Sequence, residues 1–204
     1  FILLVSMSMV FGIAQKNGTL DVVTHYAINL IRGKALLLPL LVFALSFLLS
    51  ALGPGNIAAV ALLAPMTMNL AKKHGISPLI IAIMLCTGAN AGAFSPFSPT
   101  GVVALGLLHQ IQLDTQLIWI VFGASAVLQS LSALLAYGLF LFRSRKRRYK
   151  PKVVTIKAKK PVLKKKQKIS LIAIMLLISG VIIAEVPLVI MAVSTAVGMF
   201  FLGL

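Results

Sequence analysis

Two short stretches of the chain carry residue types suited to holding a small solute. One is Gly53-Pro54-Gly55-Asn56; the other runs from Cys86 to Gly101 and reads CTGANAGAFSPFSPTG. Between them, Asn56, Asn90, Ser95, Ser98 and Thr100 supply amide and hydroxyl groups, and no lysine or arginine lies in either stretch. An anion can be held without a cationic side chain, because the N-terminus of a half helix presents unpaired N–H groups and a partial positive charge. Asparagine oxygens and unwound carbonyls can equally hold a small cation, so Asn56 and Asn90 are candidates for both kinds of ligand.

Gly53, Pro54, Gly88, Pro96, Pro99 and Gly101 are expected to interrupt the helices that carry these groups. An internal proline removes a backbone donor and clashes with the preceding turn, and glycine loosens the turn further. Inside a bilayer, such irregular backbone survives only where it is buried in protein or lines a polar cavity. The competing reading is a tight turn at residues 53–55 and a simple kink in the Ser/Pro run. A kink needs one or two such residues, and this run has many.

The surrounding elements are apolar. Of 204 residues, 60% are hydrophobic, with mean hydropathy +1.06; soluble domains run at roughly 45 to 50%. The expected class is an all-α integral membrane protein. The formal charge of +16 suggests nucleic-acid binding until its distribution is read: 14 of the 19 basic residues lie between Arg143 and Lys168, and no nucleic-acid partner is expected. The single cysteine, Cys86, excludes an internal disulfide and is expected to be a small buried helix residue.

In chain order, residues 1–14 read as part of a membrane helix closed by Gln15-Lys16-Asn17-Gly18. Asn17-Gly18-Thr19 is a glycosylation sequon, a frequent chance match. Residues 20–31 are too few to span and fit an amphipathic interfacial helix. A helical hairpin is expected over 35–71, with basic residues at both mouths and an uncharged tip at 53–56. Its arms are slightly short for a hydrocarbon core of about 30 Å, which favours a re-entrant hairpin.

A broken helix is expected over 78–111, interrupted at 89–100, then a loop at 112–116 and a long helix at 117–142. Residues 143–168 should form a basic, disordered cytoplasmic linker, and 169–204 two further helices parted near Glu185-Val186-Pro187. The chain opens and stops within apolar runs and is expected to be a fragment of a longer protein. A linker between one hairpin-plus-broken-helix unit and fresh spans suits the seam between two transporter halves. The cytoplasmic side follows from the positive-inside rule, with a multi-pass location in an inner or plasma membrane.

Other polar residues carry less. His25, His74 and His109 lack metal-ligand spacing, Asp21 and Asp114 fit solvated positions, and Glu185 fits an interhelical turn although an acid between apolar runs invites a functional reading. No phosphate-binding loop, Ser/His/Asp arrangement or HExxH is present, so no enzyme and no cofactor are expected. A reading from a different class is a membrane anchor whose basic linker binds anionic lipid or nucleic acid.

Three groups of residues carry a family resemblance: Phe11-Gly12-Ile13-Ala14-Gln15 with Asn17-Gly18-Thr19, then Gly53-Pro54-Gly55-Asn56 through Pro65-Met66, then Gly88 through Gly101. On these the chain, over roughly residues 1–142, resembles the N-terminal half of the malonate/dicarboxylate carrier MatC group, within the ion-transporter superfamily that includes the divalent-anion/sodium symporters. Gly55-Asn56-Ile57 is similar to the Ser-Asn-Thr hairpin tip of those symporters and stands at the same spacing before Pro65. Ala89-Asn90-Ala91-Gly92 is similar to the Ala-Asn-x-Gly that opens their unwound fifth helix.

The resemblance implies a small dicarboxylate substrate, with Asn56 and Asn90 bound to its carboxylate or to a coupling cation; Gly55, Ile57, Gly92, Ser95, Ser98 and Thr100 complete the expected substrate or ion site. It also implies two inverted repeats, a homodimer, and a C-terminal half that completes the site. This chain would then hold the first repeat in residues 1–142 and the start of the second in 169–204. Both hydroxyls of Ser-Asn-Thr are missing at this tip, which leaves coupling to Na+, coupling to H+ and simple exchange as alternatives.

Overall fold

The computed structural model describes residues 2–19, 22, 26, 35–53, 55–146, 164–183 and 187–203, and the regular elements among them are all helical. In chain order the α-helices are α1 (Ile2–Lys16), α2 (Leu38–Leu52), α3 (Gly55–His74), α4 (Pro78–Gly92), α5 (Pro99–Gln110), α6 (Leu117–Lys146), α7 (Lys165–Ile183) and α8 (Leu188–Phe201). A short 3-10 turn, Ala35–Leu37, leads into α2. The helices group into two compact units, residues 27–157 and residues 1–26 with 158–204.

Proline sets where several of them begin. Pro39, Pro78 and Pro99 sit in the first turns of α2, α4 and α5, where the missing N–H costs nothing and the fixed φ suits a helix. Gly75, at φ +66°, closes α3. Past it the Ile76 N–H reaches back to the Ala71 carbonyl at 2.8 Å, which satisfies one of the last carbonyls of the helix.

In the unit of residues 27–157, α4 is the central element. Its Ile80, Ile81, Met84 and Leu85 are buried against Leu38 and Val42 of α2, Leu63 and Ala71 of α3, and Ala133 of α6. Helix α4 runs parallel to α2, because Gly88 faces Phe43 and Ser46 while Gly92 faces Phe47 and Ser50, and antiparallel to α3, whose first turn meets its last. Helix α6 offers an apolar stretch of 27 residues, Leu117–Arg143. At 1.5 Å each, that is about 40 Å, enough for a hydrocarbon core of about 30 Å. Among the described residues it is the helix long and apolar enough to cross a membrane; α2, α4 and part of α8 are shorter apolar helices.

In the other unit, α1 buries Met7, Val10, Phe11 and Ala14 at helical spacing, together with Leu177 of α7 and Ala192, Ala196 and Met199 of α8. Asn17, just past α1, donates to Ser170 Oγ at 2.6 Å, and its side-chain oxygen accepts from the Thr19 N–H at 3.1 Å. Gln167 donates to the Asn17 carbonyl at 3.2 Å. The sequon is thus a polar joint between α1 and α7.

Four sequence expectations need correction. The hairpin extends to His74 rather than to residue 71, because Lys72-Lys73-His74 continue the helix until Gly75 ends it. The interruption of the broken helix covers 93–98 rather than 89–100: Gly88, Asn90 and Gly92 remain helical, since packed glycine alone does not unwind a turn. Helix α6 runs past residue 142 to Lys146 and α7 starts at Lys165, because Arg and Lys are good helix formers. That shortens the 143–168 linker at both ends. Cys86 is exposed on α4 instead of buried.

The expected interfacial helix at 20–31 with Asp21 and His25, Pro54 of the hairpin tip, residues 147–163 of the linker, and Glu185 lie outside the described residues, Val22 and Tyr26 excepted.

Candidate solute site at the hairpin tip and the broken helix

The site forms within the unit of residues 27–157. Asn56, in the first turn of α3, donates its side-chain N–H to Asn90 Oδ1 at 2.9 Å, across 34 residues of sequence. Asn90 lies in the last turn of α4, is exposed, and offers its backbone carbonyl to Ser125 Oγ of α6 at 3.3 Å. The hairpin tip also meets the far side of the break: a Cβ built on Gly55 would stand 3.5 Å from Pro99 Cδ. Gly55 has φ +79°, a conformation glycine adopts without strain. The tip, the end of α4, the start of α5 and the middle of α6 therefore converge.

Within the break, serines hold the backbone in shape. Ser98 is the N-cap of α5: its Oγ accepts from the Gly101 N–H at 3.0 Å and reaches the Ala93 and Ser95 carbonyls at 2.5 and 2.8 Å. Ser95 Oγ accepts from the Phe97 N–H at 3.3 Å. Both serines are buried, while Thr100 is exposed. Pro99 has no N–H, Ser98 takes the amides of Gly101 and Val102, and Thr100 carries the first-turn N–H that this cap does not use. A Cβ on Gly101 would collide with the Ser95 carbonyl, so the loop is pressed against the helix it precedes.

The residues expected at the site thus divide by position. Asn56 and Asn90 are brought together; Gly55 and Pro99 pack against each other; Ser95 and Ser98 are engaged in the loop itself. Ile57 is 84% exposed and points away from the packed faces of α3. Gly88 and Gly92 have a role that differs from hinge or ligand. They face α2 at its closest approach, where a Cβ on Gly88 would strike Ser46 Oγ and the Phe43 carbonyl, and one on Gly92 would lie 2.5 Å from the Phe47 carbonyl oxygen.

Ser46 and Ser50 lie opposite, four residues apart like the glycines, and both are fully buried. Two stripes of small residues let the backbones touch. Ser46 returns its hydroxyl to the Phe43 carbonyl at 3.0 Å. Among the described residues, Ser50 Oγ is buried with no hydrogen-bond partner. Ser50→Ala should therefore leave thermal stability in detergent unchanged or raise it by about 1 kcal/mol, since the substitution removes an unsatisfied group. A loss of about 2 kcal/mol would show that the hydroxyl is partnered.

Residues 1–93 match the family model described as the dicarboxylate carrier protein MatC N-terminus. Over that N-terminal part the chain is similar to the MatC dicarboxylate carriers. No curated protein and no solved structure gives a significant match to the chain. The MatC match takes in the hairpin, α4 and both asparagines; residues 94–98 of the break, α5 and α6 lie beyond it. The matching family is described as one of dicarboxylate carriers.

Two parts of this candidate site escaped the sequence reading. Ser125 sits in a long apolar helix with no local signal. The aromatic rings Phe47, Phe122, Trp119 and Phe97, spaced 6.2 to 6.4 Å between successive centroids, link α2, α6 and the break only through tertiary contact. The i, i+4 pairs Ser46/Ser50 and Gly88/Gly92 were visible signals of close helix packing.

Proposed function

We propose that this chain contributes half of the binding site of a secondary transporter for a small, malonate-like dicarboxylate. The observation that carries the reading is the Asn56–Asn90 hydrogen bond at 2.9 Å, in the segment that matches the carrier family. Two carboxamides present both donors and acceptors, and the bond between them employs one N–H of Asn56 and one oxygen of Asn90. Asn90 N–H and the Thr100 backbone amide would donate to a substrate carboxylate; Asn56 Oδ1 would face a coupling cation or a protonated carboxyl group.

In this proposal α2–α3 is a re-entrant hairpin, α4–α5 a broken helix, and the two form the moving part of the first of two inverted repeats. The second repeat begins with α7 and α8, and a second hairpin and broken helix in the rest of the carrier close the site. The multi-pass carrier sits in an inner or plasma membrane as a homodimer, with residues 143–168 cytoplasmic and lipid around α6. Alternating access moves hairpin and broken helix together.

Uptake of labelled malonate by the complete carrier in proteoliposomes tests this. Asn56→Ala should lower uptake at least about tenfold, the effect of removing a hydrogen bond that serves a charged group. Unchanged uptake by a folded variant would overturn the site. Replacing Na+ by choline, or collapsing the pH gradient, identifies the coupling ion.

A further inference from the structure

The unit of residues 1–26 with 158–204 has a sharp separation of charge from apolar surface. Three contacts fix which helix ends lie together. Asn17, past the C-terminus of α1, bonds to Ser170 near the start of α7 at 2.6 Å; Gln167 reaches the Asn17 carbonyl; and Lys166 Nζ donates to the Gly203 carbonyl, past the C-terminus of α8, at 2.6 Å. The C-termini of α1 and α8 and the N-terminus of α7 therefore share one end.

Lys16, Lys164, Lys165, Lys166 and Lys168 all stand at that end, and all are exposed. They are the charged residues among the described part of this unit. Directly beside them Phe200, Phe201 and Leu202 are 64%, 83% and 63% exposed. The apolar exposure continues along the helices through Val197, Ile172, Met175 and Leu176.

We infer that this end of the unit is a docking surface for anionic lipid headgroups, which the five lysines hold while the phenylalanines and the apolar faces below them enter the acyl region. Each half of the surface argues for the same occupant. Phosphate-bearing headgroups complement a cluster of lysines, and aromatic and apolar side chains immediately beneath basic ones suit the depth profile of a bilayer leaflet. A nucleic acid would answer the charge and stack on the rings, but would leave the apolar faces running away from them uncovered. The inference stands apart from the transport reading and needs none of its residues.

The full chain, purified in neutral detergent and titrated with either phosphatidylglycerol or phosphatidylcholine, tests it by native mass spectrometry. Phosphatidylglycerol should be retained at least about fivefold better at low salt, with the preference shrinking as salt approaches about 1 M. The variant K164Q/K165Q/K166Q/K168Q should lose the preference, and the corresponding four-arginine variant should keep it. Neutralising the linker instead, as R147Q/R148Q/K150Q/K152Q, should leave most of it.

Equal retention of the two lipids by the unaltered chain overturns the proposal, and this arm requires no variant to fold. So does a preference lost only with the linker cations. Displacement of phosphatidylglycerol by a labelled single-stranded oligonucleotide at about 150 mM salt would assign the surface to nucleic acid instead.

Discussion

Gly92→Ala should destabilise the protein by about 1 to 3 kcal/mol, and Gly88→Ala by a similar amount, the range for overfilling a packed interface. The added carbon at position 92 would meet the Phe47 carbonyl oxygen at 2.5 Å, the Ala51 nitrogen at 2.8 Å and Ser50 Cβ at 3.1 Å. None of these is the loose end of a side chain. They belong to the backbone and Cβ atoms of α2, so the helix must move as a body. Because α4 also carries Asn90, that movement should disturb the Asn56–Asn90 bond as well as the melting temperature.

Gly106 and Gly138 supply the control. Among the described residues, a Cβ on either meets nothing within 4 Å, and alanine in an open helical position favours the helix by roughly 0.5 to 1 kcal/mol. Thermal unfolding in detergent should therefore separate the pairs by sign: Gly88 and Gly92 down, Gly106 and Gly138 level or up. Equal effects at all four would mean that α2 and α4 are not in backbone contact.

On the transport function proposed above, dicarboxylate uptake should fall at least about tenfold with Asn90→Ala, as with Asn56→Ala, and the double variant should lose little more than the worse single one. Partners in one hydrogen bond are not independent: removing either releases the other from its position, so the second removal finds most of the effect already spent. Ser125→Ala probes the backbone that carries the Asn90 carboxamide. The Ser125 hydroxyl donates to the Asn90 backbone carbonyl at 3.3 Å and not to the side chain, so the variant should lower uptake by less than either asparagine variant. Multiplicative losses in the double variant would show two separate contributions to transport and would remove the bond from the mechanism.

The sequence by itself determined the class of element and the places where elements stop. Apolar runs, Pro39, Pro78 and Pro99 at helix starts, and Gly75 at a helix end act through local sterics and local hydrogen bonding, so they are legible one window at a time. The same holds for the two irregular stretches, for the residues similar to MatC motifs, and for the basic run after α6, though not for where helix gives way within that run.

Only the tertiary structure decided what Gly88 and Gly92 are for. Glycine reads identically as a break or as a contact until the opposing surface, here Phe43, Ser46, Phe47 and Ser50 of α2, is known. It also decided that the interruption begins after Gly92, that Ser95 and Ser98 turn inward to the loop, and that Asn56 meets Asn90. Those outcomes depend on which helices lie side by side, a property of long-range packing that no run of neighbouring residues contains.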